Sequence, residues 1–267
     1  MLYKGIDVSK HNGKIDWAKV KSQIDFAIIR GGYGKNHIDE RAVYNFTECQ
    51  KNKIPFGIYW FSYALTEAQA KEEAKFVCDL ADKYKPDYPI CYDWEYDSDK
   101  NAKANNVTMT NDKRKRFAEA FLKVVKDRGY IPCLYSNVDY LNKGFQSLVS
   151  KYDFWLAHWG VNKPSRECQI WQTSSSGRYN GIIGYVDTDV SYKDYTKKED
   201  KKEQEKKKET EQEKLNKLEK EFWSDYVNLA KEIIAGKWGN GDTRKKNLQA
   251  KGYDYSVAQA IVNVLVK

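Results

Sequence analysis

Two carboxylates one residue apart, Asp93 and Glu95, close the apolar run Pro89-Ile90-Cys91-Tyr92 and flank Trp94. The run reads as a short buried strand. Side chains alternate along a strand, so both carboxylates point to one side with their Cβ atoms roughly 7 Å apart. Like charges at that spacing cannot both ionise freely, so one pKa is expected to rise while the other stays low. A protonated general acid can then coexist with an ionised carboxylate at neutral pH. Asp93 and Glu95 are therefore the candidate catalytic pair. An isolated Asp-x-Glu could equally be solvated or hold a cation through its oxygens, so the case rests on what surrounds it.

Eight strand-like runs span residues 3–8, 26–31, 56–63, 88–95, 131–136, 154–159, 168–172 and 185–191. Helical patterns at 17–22, 40–51, 67–83, 112–128 and 138–149 lie between several of them. This alternation predicts an α/β fold with a largely parallel sheet: an irregular (β/α) barrel of eight strands and about five helices. The connections between the last three strands are too short for helices. Barrels of this kind carry their active sites at the C-terminal rim of the strands. Read toward that end, the runs offer Asp7, Arg30, Tyr59 with Phe61, Asp93 with Glu95, Tyr135, His158 or Trp159, Gln172, and Asp187 with Asp189. The expectation is an acidic, aromatic-lined cleft, with Tyr59, Phe61, Trp94, Tyr135, Trp159, Gln172 and Asp189 as candidate substrate contacts. Any one of these aromatics alone would by default be core.

Composition narrows the field. The net charge of +8 is spread thinly, +4 over residues 1–192, +1 over 193–221 and +3 over 222–267. No basic stripe forms, which argues against a nucleic-acid partner, while a modest positive excess suits an anionic polymer surface. The five cysteines (Cys49, Cys78, Cys91, Cys133, Cys168) are widely spaced and read as reduced, buried thiols. His11, His37 and His158 form no ligand-spaced cluster, so neither a metal site nor a cofactor is expected. Met1-Leu2-Tyr3-Lys4-Gly5 leads straight into a strand without a signal-peptide pattern, and no apolar run approaches 20 residues. The expectation is a soluble product made in the cytoplasm, with no membrane insertion.

After Tyr195 the chain changes character. Residues 197–221 are almost wholly Lys, Glu, Gln and Asp, with acids and bases nearly matched. Such a segment cannot build a core and suits a solvated helical linker. Leu215, Leu218 and Phe222 at helical spacing leave self-association through residues 215–267 open. Trp223, Tyr226, Val227, Ala230, Ile233 and Ile234 then make one helix face stopped by Gly236. Asp242 can cap a second helix ending at Gly252, and Ser256 a third carrying Val257, Ala260, Ile261, Val264 and Leu265. The division expected is a barrel over 1–195, a linker over 196–221 and a three-helix module over 222–267.

Several of these motifs resemble a known family in their order along the chain. Gly5-Ile6-Asp7-Val8-Ser9-Lys10-His11-Asn12-Gly13, Ile15-Asp16-Trp17, Phe26-Ala27-Ile28-Ile29-Arg30, Gly57-Ile58-Tyr59-Trp60-Phe61-Ser62-Tyr63, Asp93-Trp94-Glu95, Ile170-Trp171-Gln172 and Val186-Asp187-Thr188-Asp189-Val190 are similar to those of glycoside hydrolase family 25, the lysozymes of phages and bacterial autolysins. The resemblance implies a muramidase that cuts the β-1,4 bond between N-acetylmuramic acid and N-acetylglucosamine, with bacterial peptidoglycan as its partner. Carried over by position, Glu95 is the general acid. Asp93 is its partner, either a nucleophile or a stabiliser of the substrate's acetamido group, and Asp7 and Asp187 are flanking carboxylates. Trp60 stands where His is frequent, and Asp189 where Asn is.

Gly236-Lys237-Trp238-Gly239-Asn240-Gly241, Arg244-Lys245 and Gly252-Tyr253-Asp254-Tyr255 resemble one copy of the CW-seven cell-wall-binding repeat. That implies a wall anchor with Asp242, Arg244, Trp238 and Tyr253 as contacts; core packing is an equal reading of Trp238 and Tyr253. Together the parts look like a phage endolysin, made in the host cytoplasm and reaching the wall after membrane breach. Two alternatives remain at this stage. A chitinase-like N-acetylglucosaminidase would extend the motif with acids at 88 and 91, where Tyr88 and Cys91 stand. A catalytically inactive wall-binding protein would lack an acid, and Asp7, Asp93, Glu95 and Asp187 are all present.

Overall fold

The structure is a computed structural model that describes residues 2–197 and 220–266. The chain divides into two compact units, residues 1–197 and 198–267. The linker expected over 196–221 falls almost entirely outside the described residues, as do Leu215 and Leu218.

In the first unit the strands are β1 (Tyr3–Val8), β2 (Phe26–Tyr33), β3 (His37–Ile38), β4 (Phe56–Phe61), β5 (Ile90–Asp93), β6 (Pro132–Asn137), β7 (Asp153–Ala157), β8 (Ile170–Gly177) and β9 (Val186–Ser191). The sheet order is β1-β9-β8-β7-β6-β5-β4-β2-β3, and an additional β1–β2 pairing closes it into an eight-stranded barrel. The two-residue β3 hangs outside this ring as a hairpin partner of β2. Seven barrel strands run parallel; β9 alone pairs antiparallel, to β8 and to β1.

Helices α1 (Trp17–Val20), α2 (Ala42–Asn52), α3 (Glu67–Tyr84), α4 (Tyr96–Ala104), α5 (Asn111–Asp127) and α6 (Val138–Tyr140) fill the connections. Four of them begin where the sequence supplies a capping oxygen: Asp16 for α1, Thr66 for α3, Thr110 for α5 and Asn137 for α6 each accept from a backbone N–H of the first turn. Two features depart from expectation. The helical pattern at 138–149 passes after one turn into a π-helical stretch, Leu141–Phe145. The strand expected to run through Glu95 stops at Asp93, and Glu95 caps the unforeseen α4.

Strand alternation sorts two cores. Outward residues such as Ile6, Ile29, Ile58, Trp60, Tyr92, Leu134, Phe154 and Leu156 pack under the helices. Inward residues Phe26, Ile28, Cys91, Cys133, Tyr135, Trp155 and Ile170 fill the barrel, closed below by Tyr88 and Tyr195. Trp60 therefore lies in the outer core, donating its indole N–H to the Gly34 carbonyl at 3.1 Å, away from any sugar. Gly5 is obligatory on the inner face, because a Cβ there would meet the Phe26 ring at 2.3 Å. All five cysteines are buried free thiols.

The second unit contains α7 over residues 220–234, α8 (Gly241–Ala250) and α9 (Tyr255–Leu265). Tyr226, Leu229, Ala230, Ile233, Leu248, Ala258 and Val262 form its core. The caps differ from those expected. Asn240, not Asp242, stands before α8, and Asp254 caps α9 by accepting from the Ser256 and Val257 N–H groups, which puts Ser256 inside the helix. Trp223, Ile234, Val264 and Leu265 are about half exposed or more. The buried stripe of α9 runs through Ala258 and Val262, so an aliphatic-rich sequence alone misplaced it.

Candidate active site

The register sets the site. Phe61, Asp93, Tyr135 and Trp155 are successive partners across β4, β5, β6 and β7, and Asp7 lies opposite Asp187 across β1 and β9. Inward-facing side chains at this level line a cleft of about 250 Å³ bounded by Asp7, Ser9, His11, Asn12, Arg30, Tyr59, Phe61, Asp93, Glu95, Tyr135, Trp155, Gln172 and Asp187. Glu95 lies beyond the strand, yet its backbone is extended (φ −129°, ψ −173°), so the alternation persists and it joins Asp93 in the cleft. The Glu95 N–H donates to the Ser98 hydroxyl at 3.2 Å, and the Asp93 carbonyl accepts from the Ser62 N–H at 2.8 Å. The motif is thus pinned on both sides.

The same alternation turns Trp94 away. It is 1% exposed, packs edge-on to Phe117 and donates its indole N–H to Asp99 at 3.1 Å. Trp94 is therefore not a sugar platform; it is the buried peg between the Asp93 and Glu95 carboxyls. Asp99 also accepts from Arg114 Nε (2.9 Å) and Nη2 (2.6 Å) and from the Tyr140 hydroxyl (2.8 Å). Burial pushes its pKa up, but the Arg114 and Tyr140 hydrogen bonds outweigh that and hold it below the usual carboxylate value.

On the opposite wall Gln172 is the junction. Its Nε2 donates to Asp7 at 2.8 Å, while its Oε1 accepts from the Tyr135 hydroxyl and from the Trp159 indole, both at 3.1 Å. Trp159 is half exposed and stands outside the cleft lining, reaching the site only through Gln172. Asp189, placed at the rim by its sequence position, is not there. Because β9 runs antiparallel, its rim end is its start, so Asp187 lines the cleft and Asp189 lies one layer deeper, 2% exposed. There it accepts from the Trp155 indole N–H at 2.8 Å.

Electrostatics also revise the reading of the pair. Asp93, 4% exposed, is raised well above the usual carboxylate range by burial first and the Glu95 charge second, with Arg30 opposing; its Oδ1 is buried without a hydrogen-bond donor. Glu95 is also raised, chiefly by burial, against the lowering effect of the Tyr135 hydroxyl. Asp93 is thus not the low-pKa member expected. Asp187 is pushed up to about 6 by burial. Asp7 is raised well above its ordinary value by burial and by Asp189 and Asp187. A cleft that buries this many carboxyls retains protons near neutral pH, and the Asp93–Glu95 pair titrates as a unit.

A family model described as glycosyl hydrolases family 25 matches residues 6–182, and a second, the CW_7 repeat, matches residues 228–266. The chain belongs to glycosyl hydrolases family 25. Among relatives of this family 25 chain, the protein YegX of Escherichia coli strain K12 is 27% identical over 195 residues, covering 70% of this chain and 68% of that protein. Lysozyme M1 of Streptomyces globisporus is 26% identical over 207 residues, covering 69% and 66%. Among solved structures, the modular autolysin LytC of Streptococcus pneumoniae superposes with a TM-score of 0.61 at 31% identity, over 72% of this chain and 47% of LytC. The chain thus spans about half the length of LytC. The family 25 barrel is that of a lysozyme-type glycoside hydrolase.

Of the residues expected at the family 25 site, Asp7, Tyr59, Phe61, Asp93, Glu95, Tyr135, Gln172 and Asp187 converge on one cleft, while Trp94, Trp159 and Asp189 do not line it. Ser9, His11, Asn12 and Trp155 also line the cleft, beyond the residues expected from the sequence. Period-two alternation in β7, which sends Trp155 inward with Ala157, was the signal that could have found Trp155. Among the described residues no group of His, Cys, Asp and Glu is arranged to hold a metal ion.

In the repeat unit, Arg244 spends its guanidinium internally, donating to the Gly239 carbonyl, Gln259 and Asn240. Trp238 donates to Glu232 and packs edge-on to Tyr253 at 6.0 Å, and Asp242 is exposed in the first turn of α8. A depression of about 540 Å³ is lined by Lys245, Gln249, Gly252, Tyr253, Asp254, Tyr255 and Ser256. Of the four expected wall contacts, Tyr253 alone lines it.

Proposed function

We propose that this family 25 barrel cleaves the β-1,4 bond between N-acetylmuramic acid and N-acetylglucosamine, with Glu95 as general acid and Asp93 as its charge partner. The observation that carries this reading is the convergence of Asp93 and Glu95 with Asp7 and Asp187 in one largely buried cleft. The glycosidic oxygen is a poor leaving group and must be protonated as its bond breaks. Glu95 suits this step: it is the less buried of the pair and keeps a proton above the usual carboxylate range. As positive charge develops on the sugar, the proton leaves Glu95 for the departing oxygen, and the negative charge this leaves on the Asp93–Glu95 pair stabilises the transition state in a site shielded from bulk water. A water molecule then takes the anomeric carbon while its proton returns to the pair. Labelling the reducing ends released from purified peptidoglycan tests the assignment. Muramic acid ends are expected, and glucosamine ends would overturn it.

The repeat unit is the wall anchor of this reading, and residues 196–221 are the tether between anchor and barrel. The Lys245–Tyr253–Tyr255 depression, a lysine beside two phenol rings, offers a saccharide-sized contact surface. In support of peptidoglycan as the polymer concerned, LytC, which is similar over 72% of this chain, has been crystallised with a synthetic peptidoglycan ligand. Tethering raises the effective concentration of wall polymer at the cleft. A chain ending at Thr196 is therefore expected to cleave soluble fragments at the full-length rate while adsorbing to and lysing intact walls at least tenfold less well. Equal lysis of intact walls by the truncated chain would make the repeat unit something other than an anchor.

A further inference from the structure

The acidic floor beneath Gln172 has a component that bond cleavage does not call for. Asp189 sits below the cleft, opposite Gly5 of β1 and Gln172 of β8, and diagonal to Asp7 on the same inner face. The Asp7 and Asp189 carboxyl groups lie within hydrogen-bonding reach of each other. Each is already committed on its other side, Asp7 to the Gln172 amide and Asp189 Oδ1 to the Trp155 indole. Asp189 Oδ2 is buried with no donor. Two carboxylates cannot approach this closely in the interior when both are charged, and an unsatisfied buried oxygen is costly. A single proton between them removes both problems.

We propose that Asp189 is a positioning residue that shares one proton with Asp7, so that an acid–carboxylate pair locks Gln172 and Trp155 into the wall of the cleft. The other titratable groups acting on the pair are Asp187 on β9, Tyr59 on β4, Tyr135 on β6 and Tyr179 in the β8–β9 connection, with Glu95 facing Asp187. Arg30 of β2 and His11 line the same cleft, and Arg30 is ion-paired through its Nε to Asp39 at 2.7 Å. The groups that act directly on Asp7 and Asp189 are thus acidic, phenolic or neutral, and none of them brings a positive charge. The direction of the titration agrees: burial, then Asp187, raise Asp189 to about 8, with the Trp155 and Asp7 hydrogen bonds opposing.

Two variants test this. Asp189→Asn preserves the shape, since its amide oxygen can accept from Trp155 and its N–H can donate to an ionised Asp7; Asp189→Ala removes both contacts. The wild-type folded state holds a proton that the unfolded chain releases above pH 4, so its stability falls as pH rises toward 8. Between pH 5 and pH 9 the Tm of Asp189→Asn is expected to fall by at least about 3 °C less than that of the wild type. Identical pH dependence of Tm in the two proteins would overturn the shared proton. In turnover of soluble wall fragments at pH 6, Asp189→Ala is expected to lose about tenfold in kcat/KM and Asp189→Asn to stay within threefold of wild type. Asp189→Ala within twofold of wild type would overturn the positioning role. The turnover arm rests on the muramidase reading; the stability arm needs no substrate, so failure of that reading shows as an inactive wild type with the Tm difference intact.

Discussion

Asp99 and the Asp7–Asp189 pair are buried or half-buried carboxyls within one barrel, and they are treated in opposite ways. Asp99 is met by three donor groups, including a bidentate Arg114, and is held ionised. Asp7 and Asp189 meet mostly other carboxyls and are held toward the protonated form. Donors, not burial alone, decide which state a carboxyl keeps. The two sets also differ in place: the ionised hub holds Trp94, the residue between Asp93 and Glu95, while the proton-retaining groups face or underlie the cleft. Glu73 lies between the extremes. Burial raises it to about 7, opposed by bonds from the Ser62 hydroxyl (2.6 Å) and the Tyr63 N–H (3.1 Å).

Among the proton-retaining carboxyls the largest effect is expected at the Asp93–Glu95 pair, which burial also raises. Glu95→Gln keeps the side-chain shape and removes the proton, so wall-fragment turnover is expected to fall by about 10³-fold, with the thermal unfolding midpoint nearly unchanged. Asp93→Asn is expected to lose about 10²-fold. A Glu95→Gln enzyme that clears purified walls at the wild-type rate would place the acid elsewhere. The wild-type rate should also fall on the alkaline side, as the retained protons are lost.

The smaller test concerns the hub. Asp99→Ala leaves Arg114 and the Trp94 indole without their acceptor and is expected to cost about 2–3 kcal/mol of stability in denaturant unfolding. Its signature is the pH sign. Asp99 titrates below its unfolded value, so its contribution is present above about pH 4 and disappears as pH falls through the folded value. The stability gap between wild type and Asp99→Ala should therefore narrow on acidification. For Asp7 and Asp189 the loss runs the other way, with rising pH. A gap that stays constant from pH 7 to pH 3 would show that Asp99 acts through packing rather than charge.

Much of this molecule was legible along the chain, because strand and helix periodicities are local properties. The eight barrel strands lie within a few residues of the apolar runs, and the Asp-x-Glu pair faces one cleft because alternation continues through Glu95. What local pattern could not carry was the direction of β9 and the electrostatic state of the carboxyls. Both depend on groups remote in sequence. Gln172 reaches Asp7 across 165 residues, and Trp155 reaches Asp189 across 34. Antiparallel pairing of β9 put Asp187 at the rim and Asp189 beneath it, reversing an order that a parallel strand would have given. Sequence placed the acids on one surface; closure of the barrel removed the water around them, and the donors that tertiary packing brought to each decided which of them keep a proton.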